Sequence, residues 1–232
     1  MQNEFVFPAA SRPSVAVVGS ASRFPVRRIF CVGRNYPEHA REMGASDLRA
    51  PPFFFTKPAD AVIASGGAVP FPSRTTKLHH EIELVVALGS GGRDIRVEAA
   101  QGPVYGYAVG VDLTRRDVQV AMKEQGKPWD TAKGFDHSAP IAPIVPAAGK
   151  AHPARGRIWL EVNGEARQNG DIADMIWSVS EIIAELSTWF ELAAGDLIFT
   201  GTPAGVGPLQ PGDRVRGGVD GIGELAFTMA GT

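Results

Sequence analysis

The sequence predicts a β-rich α+β fold with only three helical segments, and three observations lead there. Glycine and proline number 27 and 18 in 232 residues, more punctuation than a helical bundle accommodates. Most apolar runs are short and bounded by turn residues, as strands are. The clearest amphipathic helix, SEIIAELSTWFEL, stands alone late in the chain. There is no internal repeat, low-complexity tract or linker, so residues 1–232 read as one domain opened by a short strand segment over 1–25.

The elements follow in order. SVAVVG (14–19) and VRRIFCVG (26–33) read as strands. In NYPEHAREMG, Asn35 suits an N-cap, Pro37 the first helical turn and Gly44 the stop, which places His39 and Glu42 on a short helix over about 35–44. Residues 45–78, with five prolines and an SGG turn, read as loops and short strands. HHEIELVVAL then gives a strand over about 81–88, VYGYAVGVDL another over 104–113, and TRRDVQVAMKEQG a helix closed by Gly126. Asn163-Gly164 between alternating segments predicts a hairpin over 157–168 with a type I′ turn. Ser178 and Glu181 form a capping-box pattern. The tail from Gly195 reads as short strands between Gly and Pro-Gly turns.

Composition narrows the function. A net charge of −2 with 44% hydrophobic residues gives no electrostatic case for nucleic acid or a membrane surface. No apolar run approaches the roughly 20 residues of a membrane span, and no secretion signal opens the chain, so a cytoplasmic protein is expected. The single cysteine, Cys31, has no internal disulfide partner and rules out a Cys-based metal cluster.

The informative anomaly is the strand starting HHEIEL. Alternation puts Glu81 and Glu83 on one face with Val85 and Ala87, while Ile82, Leu84 and Val86 take the other. Two anions beside each other on an apolar strand are costly without a compensating cation. Asp112 ends another apolar strand in the same way. Three carboxylates suit a hard divalent cation, Mg²⁺ or Mn²⁺. Because His79 shares the face of the two glutamates, an iron or zinc site mixing histidine and carboxylate is an alternative, as is plain pairing with arginines. His39 and Glu42, spaced i, i+3, can make an oriented general base or a surface ion pair. Lys133, in a loop-like DTAKGFD, can stabilise an oxyanion or lie exposed. FTGTPAGVG matches neither a Walker nor a dinucleotide fingerprint; its threonines offer hydroxyls to an anion, or merely a turn.

Taken in order, CVGRNYPEHAREM, PFFFTKPADAVI, LHHEIELVVALG, GYAVGVDLTRRDVQ, KPWDTAKGFD, VNGEARQNGDIADMIWS and GDLIFTGTPAGVGPLQPGD resemble the fumarylacetoacetate hydrolase family of metal-dependent enzymes. The chain looks most like its small acylpyruvase-type branch. The resemblance implies a mixed β-roll with few helices, usually a homodimer. It implies that Glu81, Glu83 and Asp112 hold Mg²⁺ or Mn²⁺, one per chain, with neither His79 nor His80 a ligand. It places His39 and Glu42 on a lid helix and Lys133 in the active site, with Gln119, Thr202, Arg34 and Arg116 contacting substrate.

The activity so implied is hydrolysis of the C–C bond of a 2,4-dioxo acid, foremost fumarylpyruvate, to fumarate and pyruvate in gentisate-type aromatic catabolism. Oxaloacetate decarboxylation and general acylpyruvate hydrolysis are alternatives on the same site. Isomerisation or decarboxylation of other aromatic-breakdown intermediates stands further off. A non-catalytic metal-binding module is opposed by the intact His39, Glu42 and Lys133.

Overall fold

The computed structural model describes residues 5–44, 47–149 and 151–231. A large mixed sheet organises the molecule, in the order Phe53–Lys57, Arg28–Gly33, Asp196–Phe199, Ile82–Leu88, Val104–Val111, Ala139–Ile141, Val62–Ala64, with Val145–Pro146 also pairing on Val104–Val111. Its centre is non-local. Asp196–Phe199 lies between Arg28–Gly33, to which it is parallel, and Ile82–Leu88, to which it is antiparallel. The parallel pair is pinned at one end by Asp196, a fully buried carboxylate that takes Arg27 at 3.1 Å and Arg28 at 2.9 Å.

A second sheet runs in the order Glu165–Asp171, Arg157–Val162, Arg214–Val219, Gly223–Ala230, Ala68–Pro70. It packs on one face of the large sheet through Ile158, Leu160, Val215, Leu225 and Phe227, which meet Ile82, Leu84, Val86 and Leu88. The helix Val179–Trp189 closes the same core with Ile182, Ile183 and Leu186. On the opposite face, Val85 and Ala87 pack with Ile29, Cys31, Leu197 and Phe199. There a ribbon of Ser14–Ala16 and Arg23–Pro25 lays down Val15 and Phe24. The predicted alternation therefore holds: even positions of the 82–88 strand enter one core and odd positions the other.

Four α-helices are present among the described residues: α1 (Pro37–Glu42), α2 (Arg116–Glu124), α3 (Asp130–Lys133) and α4 (Val179–Trp189). The capping box at Ser178 is formed, and Asn163 (φ 55°) and Gly164 (φ 84°) both take the left-handed backbone that a type I′ turn needs.

The structure differs from the sequence reading at four places. The strand at Arg23–Pro25 and the helix α3 were not anticipated, the latter because four residues between a Pro-Trp and a glycine carry no readable period. The first expected strand is shorter, Ser14–Ala16. Asn35 does not cap α1: Tyr36 occupies that position and makes no side-chain cap. Asn35 is instead fully buried as a clamp, its amide donating to Trp177 O and Thr200 O at 2.9 and 2.8 Å while its Oδ1 accepts from Trp177 N at 2.7 Å.

Candidate active site

Adjacent strands bring the three carboxylates together. Ile82–Leu88 pairs with Val104–Val111 so that Ile82 faces Val111, and the next step is Asp112 N donating to Glu81 O at 2.8 Å. One oxygen from each of Glu81, Glu83 and Asp112 then lies within 4.8 Å of the others, with all three side chains buried. Gly110 sits opposite Glu83, where a Cβ would come within 2.6 Å of Phe199 and 2.7 Å of Val85.

Cations surround this cluster unequally. Lys133 Nζ donates to Glu81 Oε2 at 2.7 Å, Asp112 Oδ2 at 2.6 Å and Thr114 Oγ1 at 2.7 Å. Its ammonium is held above the ordinary lysine range: burial opposes the charge, but Asp112 and Glu81 outweigh it. Arg116 pairs with the other oxygen of Glu81 and donates to Gln119 Oε1. Burial alone would raise the Glu81 carboxyl; Lys133 and Arg116 hold it far below the usual range instead. Glu83 has no such partner. Among the described residues its only contact of this kind is the Gly201 amide, 2.7 Å from Oε2, and burial together with Asp112 and Glu81 pushes its carboxyl well up.

A further lysine, Lys57, was missed in the sequence. It ends the aromatic strand Phe53–Lys57 with its side chain wholly buried, its Nζ 2.8 Å from Asp112 Oδ1. It also donates to Leu113 O and to Lys133 O, so it fixes the outer face of Asp112 and the end of α3 together. The signal was a lysine closing a run of phenylalanines, a position where a solvent-facing strand end is the common reading.

The remaining candidates border the same small cleft: His39 of α1, Gln119 of α2, Arg34, Arg116 and Thr202 line it beside Glu81 and Glu83. His39 is buried with Nδ1 3.2 Å from Glu42 Oε2, while Glu42 is half exposed. Arg34 takes a left-handed backbone (φ 57°) with its guanidinium 5.7 Å from the Phe53 ring centre, and forms no ion pair among the described residues. Lys133 is neither in a loop nor exposed; α3 carries it into the cluster.

His79 stands apart. Its Nδ1 faces Arg116 at 3.4 Å, and burial and Arg116 pull its pKa down to about 4. His80 turns away onto Gln168 at 2.9 Å. The converging donor set is therefore all carboxylate oxygen, buried, with one member lacking a protein cation among the described residues. That fits a hard divalent ion held by Glu81, Glu83 and Asp112 and disfavours a histidine-containing site.

Comparison with known proteins agrees with this geometry. Residues 28–230 match the family described as Fumarylacetoacetate (FAA) hydrolase C-terminal. A fumarylpyruvate hydrolase from Ralstonia sp is 44% identical, over 76% of this chain and 92% of its own. An oxaloacetate tautomerase from Escherichia coli (strain K12) is 43% identical, over 88% and 93%. A crystal structure of fumarylpyruvate hydrolase from Pseudomonas aeruginosa in complex with Mn²⁺ and pyruvate superposes with a TM-score of 0.95 at 52% identity, covering 98% of this chain and 99% of the other.

Proposed function

The chain belongs to the fumarylacetoacetate hydrolase family, and from that premise we infer that it cleaves the C3–C4 bond of fumarylpyruvate with water, releasing fumarate and pyruvate. The observation that carries the reading is the buried Glu81, Glu83 and Asp112 triad, flanked by a protonated Lys133 and opening on the cleft that His39 borders. Glu81, Glu83 and Asp112 would hold Mg²⁺ or Mn²⁺. When bound, that ion withdraws electron density from the 2-oxo-acid end of the substrate and so lowers the energy of the enolate that must leave.

The residues supply the rest. With Nδ1 engaged by Glu42, His39 has Nε2 left to take a proton from water as the oxygen adds to C4. Lys133, whose three N–H groups are directed at Glu81, Asp112 and Thr114, would oppose the oxyanion at C4 through its positive charge. As that oxyanion collapses to the fumarate carboxyl, the C3–C4 electron pair passes to the pyruvate fragment. The proton on His39 then returns to C3. Gln119 and Thr202 border the cleft where the 2-oxo-acid end lies. Arg34, a guanidinium at the cleft wall with no carboxylate partner among the described residues, suits the distal carboxylate. Arg116 acts through Glu81 and Gln119.

The α1 helix is the lid of this reading, and the whole chain its single catalytic domain. A homodimer would cover exposed apolar groups such as Trp189 and Val120. Free, buried Cys31 is compatible with a reducing compartment, and a cytoplasmic place in gentisate-type aromatic breakdown belongs to the same proposal.

The test is loss of the enol absorbance of fumarylpyruvate with purified protein, with and without Mg²⁺, running acetylpyruvate and oxaloacetate in parallel. EDTA-sensitive cleavage to fumarate and pyruvate is expected. Accelerated enol–keto equilibration of oxaloacetate, with the dioxo acids untouched and no oxaloacetate lost, would favour the second reading, oxaloacetate tautomerisation, which the relatives of that name support.

A further inference from the structure

Gln168 lies outside the cleft, and nothing in the reading above uses it. It is almost fully buried on the strand Glu165–Asp171, and every polar atom of its side chain is engaged. Its Oε1 accepts from Ile82 N at 3.1 Å, and its Nε2 donates to Pro203 O at 2.8 Å. A backbone N–H can only donate and a carbonyl can only accept, so these two bonds fix which end of the amide is which. The consequences run outward. His80 Nδ1, 2.9 Å from Oε1, must carry a proton. Nε2, 2.8 Å from Thr202 Oγ1, must donate to that hydroxyl.

Thr202 is buried, lines the cleft beside Glu81 and Glu83, and its hydroxyl oxygen is already accepting from Gln168. No acceptor for its own proton occurs among the described residues. We propose that Gln168 is a positioning residue: by donating to Thr202 it makes that hydroxyl a hydrogen-bond donor to an anionic oxygen in the cleft, the carboxylate of the 2-oxo-acid end of the substrate. The inference rests on the hydrolase reading for the substrate's identity, but its logic needs only a 2-oxo acid in the cleft. A free hydroxyl rotates between donor and acceptor roles; one whose lone pair is occupied by a buried amide loses that choice and pays less to orient when the anion arrives. Gln168 also bonds the residues either side of Glu81, and the experiment has to separate the two effects.

The probe is pyruvate binding to the Mn²⁺-loaded protein by calorimetry, with Mn²⁺ affinity measured separately and KM and kcat for fumarylpyruvate alongside. Thr202→Val is expected to weaken pyruvate binding about tenfold or more, the loss of one bond to a charged group. Gln168→Met should weaken it about threefold to tenfold, raise KM more than it lowers kcat, and leave Mn²⁺ affinity within about twofold. In the Thr202→Val background, Gln168→Met should cost no further pyruvate affinity, since its effect passes through the missing hydroxyl.

Penalties that multiply in the double variant, or Mn²⁺ affinity falling in step with pyruvate affinity, would overturn the proposal and make Gln168 a support for Glu81 alone. If Gln168→Met does not fold, Gln168→Glu, of the same size, is read by the same cycle. Failure of the wild type to cleave fumarylpyruvate counts against the hydrolase reading only, because the pyruvate arm still reports on Gln168.

Discussion

Glu83 is held where a carboxylate is costly: buried, beside two other anions, with one backbone amide as its partner. Its folded-state pKa is raised, so the folded protein binds a proton there more readily than the unfolded chain does. The metal-free protein therefore loses stability as pH rises above the ordinary carboxylate range. Glu83→Gln, which keeps the acceptor for Gly201 N, should raise the melting temperature of EDTA-treated protein at pH 7 while removing Mg²⁺-dependent turnover; equal or lower stability would contradict this charge balance. Lys57→Met should act in the opposite sense, costing about 1–3 kcal/mol in urea unfolding because Asp112 Oδ1 loses its cation while Lys133 still holds Oδ2. Glu81 and Glu83 could be singled out from sequence because anions break an apolar alternation. Lys57 could not: its partner Asp112 lies 55 residues away by number, and only the fold shows that a strand-ending lysine points inward.

At the scale of elements, two short helices bear on function in different ways. The first, α1, is six residues long and uncapped, far below the length at which a helix is stable alone, so its place depends on packing of His39 and Ala40. Glu42→Ala should lower kcat about tenfold or more with little change in KM, read by steady-state kinetics, if the carboxylate orients His39. By contrast, Ser178→Ala breaks the capping box of α4 away from the cleft. It should cost about 1 kcal/mol of unfolding free energy and leave kcat unchanged. The cap at Ser178, the turn at Asn163-Gly164 and the stop at Gly44 were legible because each is local chemistry between neighbours in sequence. Asn35 misled for the same reason: a good N-cap residue was taken by partners at Trp177 and Thr200, which local pattern does not reveal. The four-residue α3 has no periodicity to read, although it carries Lys133.

At the scale of the whole molecule, the cleft is a junction of distant segments: His39, Glu81, Asp112, Lys133 and Thr202 come from five parts of the chain. Binding of a divalent ion should therefore stabilise the entire fold. Mn²⁺ at about a hundred times its dissociation constant should raise the melting temperature by about 5–10 °C. Asp112→Ala should abolish that shift. Two faces of the central sheet were readable from the 82–88 strand, but the order of the strands was not, since pairing across long separations leaves no local trace. That order has a kinetic side. The strand Asp196–Phe199 occupies the middle of the large sheet, between two strands made more than a hundred residues earlier. On the ribosome, Arg28–Gly33 and Ile82–Leu88 emerge with open, apolar edges and wait for the piece that joins them. Until it arrives they are exposed to wrong pairing, and the acidic cluster at the sheet's end has no finished cleft around it.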